Sequence, residues 1–354
     1  GGVGERKFSR GVGWGGRLEA EHYIGYAESV KAKLVEIEEA NQLKMEQAIL
    51  SGDEVELDYP DLLVLPESAM TQPLLYTGDQ EQYHFSPLTW DFFAEQMYKE
   101  NHFKIVFGSN VVGAKVSEDG LEYDFDKPIY NGIAVAGPSL VSEEQEADSL
   151  IVHGKNHLVP FGEYVPEIPF LAGITEFFSG MSYGENFSKG GSFEPLNVKM
   201  KGEVVQLIPS VCFEDTVGRV NRKFVRPEKQ MLVNITNDGW FGESSASKQH
   251  MANAKFRAVE LRRPMARAAN TGVSGIVSVI GSLNDSASDK VNMIGTPENS
   301  FVKGALFATV KVPEAGYMTL YARFGDWFVG LCLLLVIGLS VVGLDRHGNA
   351  FASS

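Results

Sequence analysis

The segment Trp327–Leu344 is an uninterrupted apolar run without a charged residue, and it limits what the end of this chain can form. Its length approaches the ~20 residues that a helix needs to cross the hydrocarbon core of a bilayer. The run is therefore either a transmembrane helix or a helix that is buried on every face inside a large core. We predict a transmembrane helix followed by a short tail over residues 323–354. The flanking segments hold too few Lys and Arg residues to predict its orientation.

Helix-like and strand-like patterns alternate before this run, which is typical of an α/β domain whose sheets are covered by helices. Two further stretches, 70–86 and 169–192, carry weak signals and are predicted to be long connections of a functional kind. The second is apolar, which indicates a lipid contact, an active-site lid or simple packing over the core. Helices are predicted over 18–49, 89–99 and 247–262, and strands over 61–65, 104–108, 130–136 and 231–236, with β-rich sequence through 312.

Charge and cysteine content exclude some classes of protein. The formal net charge of −15 argues against a nucleic-acid-binding surface, which needs clustered Lys and Arg. The same acidity disfavours simple adsorption to anionic lipid. The two cysteines are Cys212 and Cys332, and the second lies inside the apolar run, so we expect no disulfide between them.

Three chemically useful residues follow apolar, strand-like segments. Cys212 ends such a segment and has acidic residues directly after it, Glu67 follows another, and Lys155 precedes a second carboxylate, Glu163. A cysteine in this position is often only a small buried hydrophobe. A carboxylate, an ammonium group and a thiol at strand ends can also act together as base, oxyanion partner and nucleophile.

The order Glu67, Lys155, Cys212 resembles the carbon-nitrogen hydrolase (nitrilase) superfamily, over roughly residues 61 to 344. The resemblance implies a nitrilase-like four-layer αββα sandwich over residues 17–322. One departure is Phe213, because the family usually has a tyrosine after the nucleophile. Longer motifs narrow the resemblance to the apolipoprotein N-acyltransferases: His157-Leu-Val-Pro-Phe-Gly-Glu-Tyr-Val-Pro166, Asn237-Asp-Gly-Trp-Phe-Gly242, Gln249-His250, Arg257-Ala-Val-Glu-Leu-Arg-Arg-Pro-Met-Ala-Arg-Ala-Ala-Asn-Thr-Gly-Val-Ser274 and Tyr321-Ala-Arg-Phe-Gly-Asp-Trp327.

The resemblance implies an enzyme that transfers a fatty acyl chain from a phospholipid to the N-terminal amine of diacylglyceryl-cysteine in apolipoproteins. The acyl chain would pass through a thioester on Cys212, with Glu67 as base and Lys155 as oxyanion partner, and without a metal or organic cofactor. The implied partners are a phospholipid donor, a diacylated lipoprotein acceptor and the membrane. The implied location is the bacterial inner membrane, with the catalytic domain on the periplasmic side.

Five further residues are candidates for supporting roles. The resemblance implies that Glu163 orients Lys155 and the base, while Glu214 lies beside the nucleophile; both could instead be ordinary surface carboxylates. Substrate-binding candidates are Phe213, Trp240 and Phe241, of which the last two could instead serve to shape a turn.

Two other function classes stay open. An amidase or nitrilase-type hydrolase would share the triad without needing the apolar run, and an inactive fragment or binding module is the third class. The glycine-rich segment 1–16 is predicted to be flexible or truncated. Family members carry a first strand and several membrane helices that we do not find in this sequence. We therefore expect a fragment lacking an N-terminal membrane domain or, alternatively, a short form with one anchor.

Overall fold

The computed structural model describes most of the chain between residues 29 and 351. In the last ten residues of that range only the backbone is described. The segment 1–16, the helix predicted over 89–99 and most of the connection 169–192 lie outside the described ranges. These ranges are 29–52, 54–55, 57, 59–70, 72–78, 82–85, 103–118, 120–137, 149–166, 186–242, 244–283, 293–294 and 302–351.

The strands of the first sheet are β1 (Leu62–Val64), β2 (Leu74–Thr77), β3 (Gln82–His84), β4 (Lys104–Ser117), β5 (Gly120–Tyr123), β6 (Tyr130–Gly137) and β7 (Ser149–Gly154). The sheet is built around the long central strand β4. Strands β1 and β2 pair with β4 in parallel, whereas β5 and β6 pair with it antiparallel. Strands β3 and β7 extend the sheet on either side, in the order β3-β2-β4-β6-β7.

The strands of the second sheet are β8 (Leu196–Met200), β9 (Glu203–Val211), β10 (Gln230–Asn237), β11 (Met265–Asn270), β12 (Ser274–Val277) and β13 (Met293–Ile294). Their order in the sheet is β13-β12-β11-β10-β9-β8. Strand β10 pairs in parallel with both β9 and β11. Because parallel strands end at the same edge, the residues that follow β9 and β10 are neighbours.

The helices and the two sheets form four layers. Helix α1 (29–51) packs on the first sheet through Val30 and Leu34. The two sheets pack face to face, with Val106 and Val233 in one shared core. Helix α3 (Ala246–Leu261) covers the second sheet through Ala258. The remaining helices are α2 (Gly218–Asn221), α4 (Leu320–Phe324) and α5 (Trp327–Phe351), and the 3-10 turns are Cys212–Thr216, Arg222–Phe224 and Asp238–Phe241.

The predicted α/β class is confirmed, and so are the strands predicted at 61–65, 130–136 and 231–236 and the helix at 247–262. The predicted connection 70–86 is wrong, because it contains β2 and β3. These strands have only four and three residues, too few for a clear alternation of apolar and polar side chains. The described residues from 302 to 312 are not in strands, although Val310 and Val312 pack against the core between the sheets.

The apolar run forms helix α5, and its described side chains are exposed, including Leu334 at 69% and Leu339 at 73%. The alternative of a core helix buried on every face is therefore wrong. Within the part of the chain that the structure describes, no helix is both long and apolar enough to cross a membrane. The transmembrane helix stays a prediction.

Candidate active site

Cys212 follows β9 directly and opens the 3-10 turn Cys212–Thr216. Its φ of 50° places a non-glycine residue in the left-handed region, a conformation that costs on the order of 1–3 kcal/mol and is held by its surroundings. The turn brings Glu214 back toward the strand, where its Oε2 accepts a hydrogen bond from the Val211 amide at 2.8 Å. The thiol is thus presented at the strand end by a strained and well-anchored turn.

Glu214 is fully buried and joins two chain segments. Its Oε1 accepts from the amides of Asn156 at 2.7 Å and His157 at 2.9 Å, which follow Lys155 in the chain. Burial raises the pKa of Glu214, and these backbone hydrogen bonds oppose the rise. The alternative that Glu214 is a surface carboxylate is wrong, because the side chain ties the Cys212 turn to the segment after β7.

Lys155 follows β7 and is completely buried. Its Nζ donates to Glu163 Oε1 at 2.8 Å. Burial lowers the pKa of Lys155, but the neighbouring Glu67, Cys212 and Glu163 outweigh burial and raise the pKa above its ordinary value. The ammonium form is therefore held in place beside the thiol.

Glu67 lies just beyond β1 and is also buried. Its Oε2 accepts from the Asn237 amide at 2.9 Å, so the end of β10 orients this carboxylate. Gly108 of β4 packs against it so closely that a Cβ there would lie 2.7 Å from the Glu67 Cα. Only glycine permits this approach of backbone to backbone.

Asn131 on β6 links the two carboxylates. Its Nδ2 donates to Glu67 Oε1 at 2.9 Å and to Glu163 Oε1 at 2.7 Å. Glu163 Oε2 also accepts from the Val159 amide at 2.8 Å, and its side chain is only 13% exposed. The surface interpretation of Glu163 is wrong as well. The sequence analysis missed Asn131, although a polar residue in an otherwise apolar strand was a usable signal.

The thiol of Cys212 contacts Glu67 and Thr236. Burial raises its pKa to about 12, Glu67 contributes to the rise, and Lys155 and Thr236 oppose it. At neutral pH the resting group is accordingly a thiol that lies beside the Glu67 carboxylate. An attack by this sulfur requires that its proton leave at the same time, and Glu67 is placed to accept it.

The three aromatic candidates lie near the site and are partly or fully exposed. Phe213 is 38% exposed and stacks on His157, with ring centroids 6.3 Å apart. Trp240 is 80% exposed and Phe241 39% exposed, both on the turn after β10. The Asn237 side chain caps that turn by accepting from the Gly239 amide at 3.0 Å. The Trp240 ring is therefore accessible to a ligand.

The described side chains include no group of three or more His, Cys, Asp or Glu residues arranged to hold a metal ion. The groups that do converge are a carboxylate, an ammonium group and a thiol. These can carry out nucleophilic attack on an acyl carbon, with proton transfer and oxyanion stabilisation.

The sequence pattern of the carbon-nitrogen hydrolase family matches residues 61–284, more than half of the 354 residues. The chain belongs to this family. The matched region contains the converging residues Glu67, Lys155, Glu163 and Cys212.

Several relatives carry a more specific name. An apolipoprotein N-acyltransferase of Geobacter metallireducens is 39% identical over 188 residues, covering 53% of this chain and 32% of that protein. The apolipoprotein N-acyltransferase of Thermotoga maritima is 34% identical over 186 residues, covering 52% and 33%. That of Shewanella oneidensis is 29% identical over 294 residues, covering 81% and 48%. The chain thus spans between a third and a half of the length of these relatives.

Solved structures of related proteins align at lower similarity. A carbon-nitrogen hydrolase from Helicobacter pylori G27 covers 75% of this chain and 82% of its own, with 14% identity and a TM-score of 0.39. An amidase from Nesterenkonia sp. covers 72% and 81%, with 14% identity and a TM-score of 0.36. The family assignment rests on the sequence match.

Proposed function

We propose that this chain carries the catalytic domain of an N-acyltransferase that moves a fatty acyl chain from a phospholipid to the N-terminal amine of diacylglyceryl-cysteine in apolipoproteins. The observation that carries the proposal is the contact of the Cys212 thiol with Glu67 beside the buried Lys155 ammonium. The relatives named apolipoprotein N-acyltransferase support the choice of reaction.

In the first half-reaction the sulfur of Cys212 attacks an ester carbonyl of the phospholipid while Glu67 takes the thiol proton. The raised thiol pKa makes this proton transfer necessary, since little thiolate exists before the attack. The tetrahedral intermediate collapses as its C–O bond breaks. The alkoxide of the lysophospholipid takes the proton back from Glu67 and leaves.

Lys155 is the proposed oxyanion partner in both half-reactions. Its ammonium group is held by Glu163 and stays charged, so it can stabilise the negative charge that develops on the carbonyl oxygen. A donor aimed at such an oxygen in a site shielded from water contributes a few kcal/mol to the barrier reduction.

In the second half-reaction the acceptor amine attacks the thioester carbonyl. Glu67 takes a proton from the attacking nitrogen, an amide bond forms, and the carbon–sulfur bond breaks. The sulfur leaves as a thiolate that recovers the proton from Glu67. The site returns to its starting state without a cofactor.

The proposed location is the bacterial inner membrane, with the catalytic domain on the periplasmic side. Support comes from the exposed aromatic rings of Phe213, Trp240 and Phe241 on the turns that follow β9 and β10, and from the exposed apolar side chains of α5. We propose that α5 anchors a catalytic domain of residues 17–322 at the lipid surface, so that a donor acyl chain reaches Cys212 past these rings. Residues 323–354 would then form the anchor and tail.

A test of this function uses the full chain in detergent with phospholipid alone, followed by mass spectrometry of the intact protein. We expect an acyl adduct in the wild type and in Cys332→Ala, and none in Cys212→Ala. Addition of a diacylated lipopeptide with a free amine should discharge the adduct and acylate the peptide. An adduct on Cys212→Ala would end the thioester mechanism.

Family membership supports a second candidate, hydrolysis of an amide or nitrile. Ammonia release from small amides, without any phospholipid-derived adduct on Cys212, would favour this hydrolase over the acyltransferase.

A further inference from the structure

Four ionisable side chains next to the site form a closed, buried ring that the proposed chemistry does not use. We name Asp215, His250, Asp238 and Arg267 the ion quartet. Each of the four is at most 4% exposed. His250 Nδ1 forms a hydrogen bond with Asp238 Oδ1 at 2.7 Å. Its Nε2 lies 2.8 Å from Asp215 Oδ1 in an ion pair that does not have hydrogen-bond geometry. Arg267 closes the ring through ion pairs with the second oxygens of the two carboxylates.

The charges of the ion quartet balance when His250 is protonated. Burial lowers the pKa of His250, but its contacts with Asp215 and Asp238 outweigh burial and raise the pKa to about 9. Asp238 has a lowered pKa, because His250 and Arg267 overcome its burial. At neutral pH two cations therefore alternate with two carboxylates. Removing one member leaves a buried charge without a full complement of partners, which is costly.

The members of the ion quartet come from four different elements. Asp215 lies in the Cys212–Thr216 turn, Asp238 opens the turn after β10, His250 belongs to α3 and Arg267 to β11. The ring therefore joins the two turns that follow the adjacent parallel strands β9 and β10. It is close-packed as well, since a Cβ on Gly272 would lie 2.6 Å from Asp238 Oδ2.

Each of the two turns is linked to one reacting group, either by the chain itself or by a hydrogen bond. Asp215 shares its turn with Cys212. On the other side, Asp238 adjoins Asn237, whose amide donates to Glu67 Oε2 at 2.9 Å. Thr236 connects the two sides directly, because its hydroxyl lies 3.2 Å from Asp238 Oδ1 and also contacts the Cys212 thiol.

We propose that the ion quartet positions Cys212 and Glu67 relative to each other, with His250 as the residue that joins the two turns. Its members are positioning residues, because none of them touches the reacting atoms. The proposal rests on the proposed function only in taking Cys212 as nucleophile and Glu67 as its base. Loss of the ring would let the turns separate and would weaken the contact through which Glu67 removes the thiol proton.

The test measures alkylation of Cys212 by iodoacetamide at neutral pH, on the full chain with Cys332→Ser. This reaction reports on the thiol and its base without any lipid. Its result therefore tests the positioning role even if the protein shows no acyltransferase activity. His250→Gln should lower the alkylation rate at least about tenfold, the scale of a lost general-base contribution. The matched control is Lys229→Gln, which removes the partly exposed ion pair of Lys229 with Glu203, 2.7 Å apart, and should leave the rate unchanged.

A double-mutant cycle separates positioning from general damage. If the ion quartet acts through Glu67, then His250→Gln should lower the alkylation rate of Cys212 by no more than about twofold in a protein that already carries Glu67→Gln. If His250→Gln lowered the alkylation rate by the same factor with Glu67 as with Glu67→Gln, the proposal would be overturned.

A second variant keeps the test decisive if His250→Gln folds poorly. The pair His250→Gln with Asp238→Asn leaves one carboxylate and one guanidinium, so charge balance is restored while the link between the turns is lost. We expect a cooperative thermal transition and a low alkylation rate. A wild-type alkylation rate in this folded variant would show that the ring serves charge balance alone and would overturn the proposal.

Discussion

The Lys155 ammonium and the Glu163 carboxylate form a buried ion pair, with Nζ 2.8 Å from Oε1. Asn131 donates to the same carboxylate oxygen, and a backbone amide holds the other one. Glu163 therefore has a full set of donors and stays beside the lysine. This arrangement leaves Glu67 as the carboxylate in contact with the thiol. In the proposed mechanism, orientation of the cation and removal of the proton therefore belong to different side chains.

Removal of this pair should be costly for stability. Glu163→Gln leaves a buried ammonium group with a neutral partner, and we expect the free energy of unfolding to fall by on the order of 3 kcal/mol. Urea denaturation of the purified protein measures the change. The matched control is Glu203→Gln, which removes a partner of the partly exposed Lys229 and should cost less than about 1 kcal/mol. If both variants lowered the free energy of unfolding by the same amount, the buried pair would not stabilise the protein more than the partly exposed one.

The base and the oxyanion partner should have separable effects on acyl-enzyme formation. Glu67→Gln cannot accept the thiol proton, so the rate of adduct formation should fall by about 10²-fold or more. Lys155→Met should slow the same step by a comparable factor through loss of oxyanion stabilisation. Time-resolved mass spectrometry with phospholipid alone gives both rates.

Varying the pH distinguishes these two variants. Raising the pH increases the thiolate fraction and should partly restore Glu67→Gln, whereas it should not restore Lys155→Met. Adduct formation at the wild-type rate in Glu67→Gln at neutral pH would refute its role as base.

Stability should fall at alkaline pH because of His250. Its folded pKa of about 9 lies above the ordinary value of 6.5, so its contribution is complete below about pH 6.5 and is lost as the pH rises through 9. The groups that face the imidazole are Asp215, Asp238, Arg267 and the ring of Phe241.

The measurement is the free energy of unfolding at several pH values between 6 and about 10. The difference between wild type and His250→Gln should shrink across this interval by on the order of 3 kcal/mol. A difference that is independent of pH would mean that folding does not change the pKa of His250.

Helix α5 should matter for bilayer substrates and not for soluble ones. Removal of the residues after Asp326 deletes the exposed apolar surface, so we expect less protein in the membrane fraction and slower reaction with phospholipid vesicles. Reaction of Cys212 with a short-chain, water-soluble activated ester should be retained, because α5 contributes no contact to the thiol among the described residues. Unchanged turnover of vesicle phospholipid would argue against α5 as the anchor.

Much of the architecture was predictable because it depends on local patterns. Short apolar runs indicated β1, β6 and β10, and the helix α3 was predicted within one residue of its ends. Each catalytic candidate follows such a strand, so Glu67, Lys155 and Cys212 could be named before their positions in space were known. Family resemblance then ordered these residues into one reaction. Strands β2 and β3 could not be found in this way, because their pairing with longer neighbours stabilises them more than their own sequence does.

By itself, the sequence determined which residues carry reactive groups and that strands present them, since both follow from residue type and local periodicity. Only the tertiary structure decided which side chains meet. Asn131 bridges Glu67 and Glu163 across separations of 64 and 32 residues, and the Asn237 amide reaches Glu67 from 170 residues away. Burial of Glu214 and closure of the ion quartet depend likewise on strand order and sheet packing. Such hydrogen bonds and charge pairs form between groups that no local pattern relates, because their energy depends on distance and burial in the folded chain.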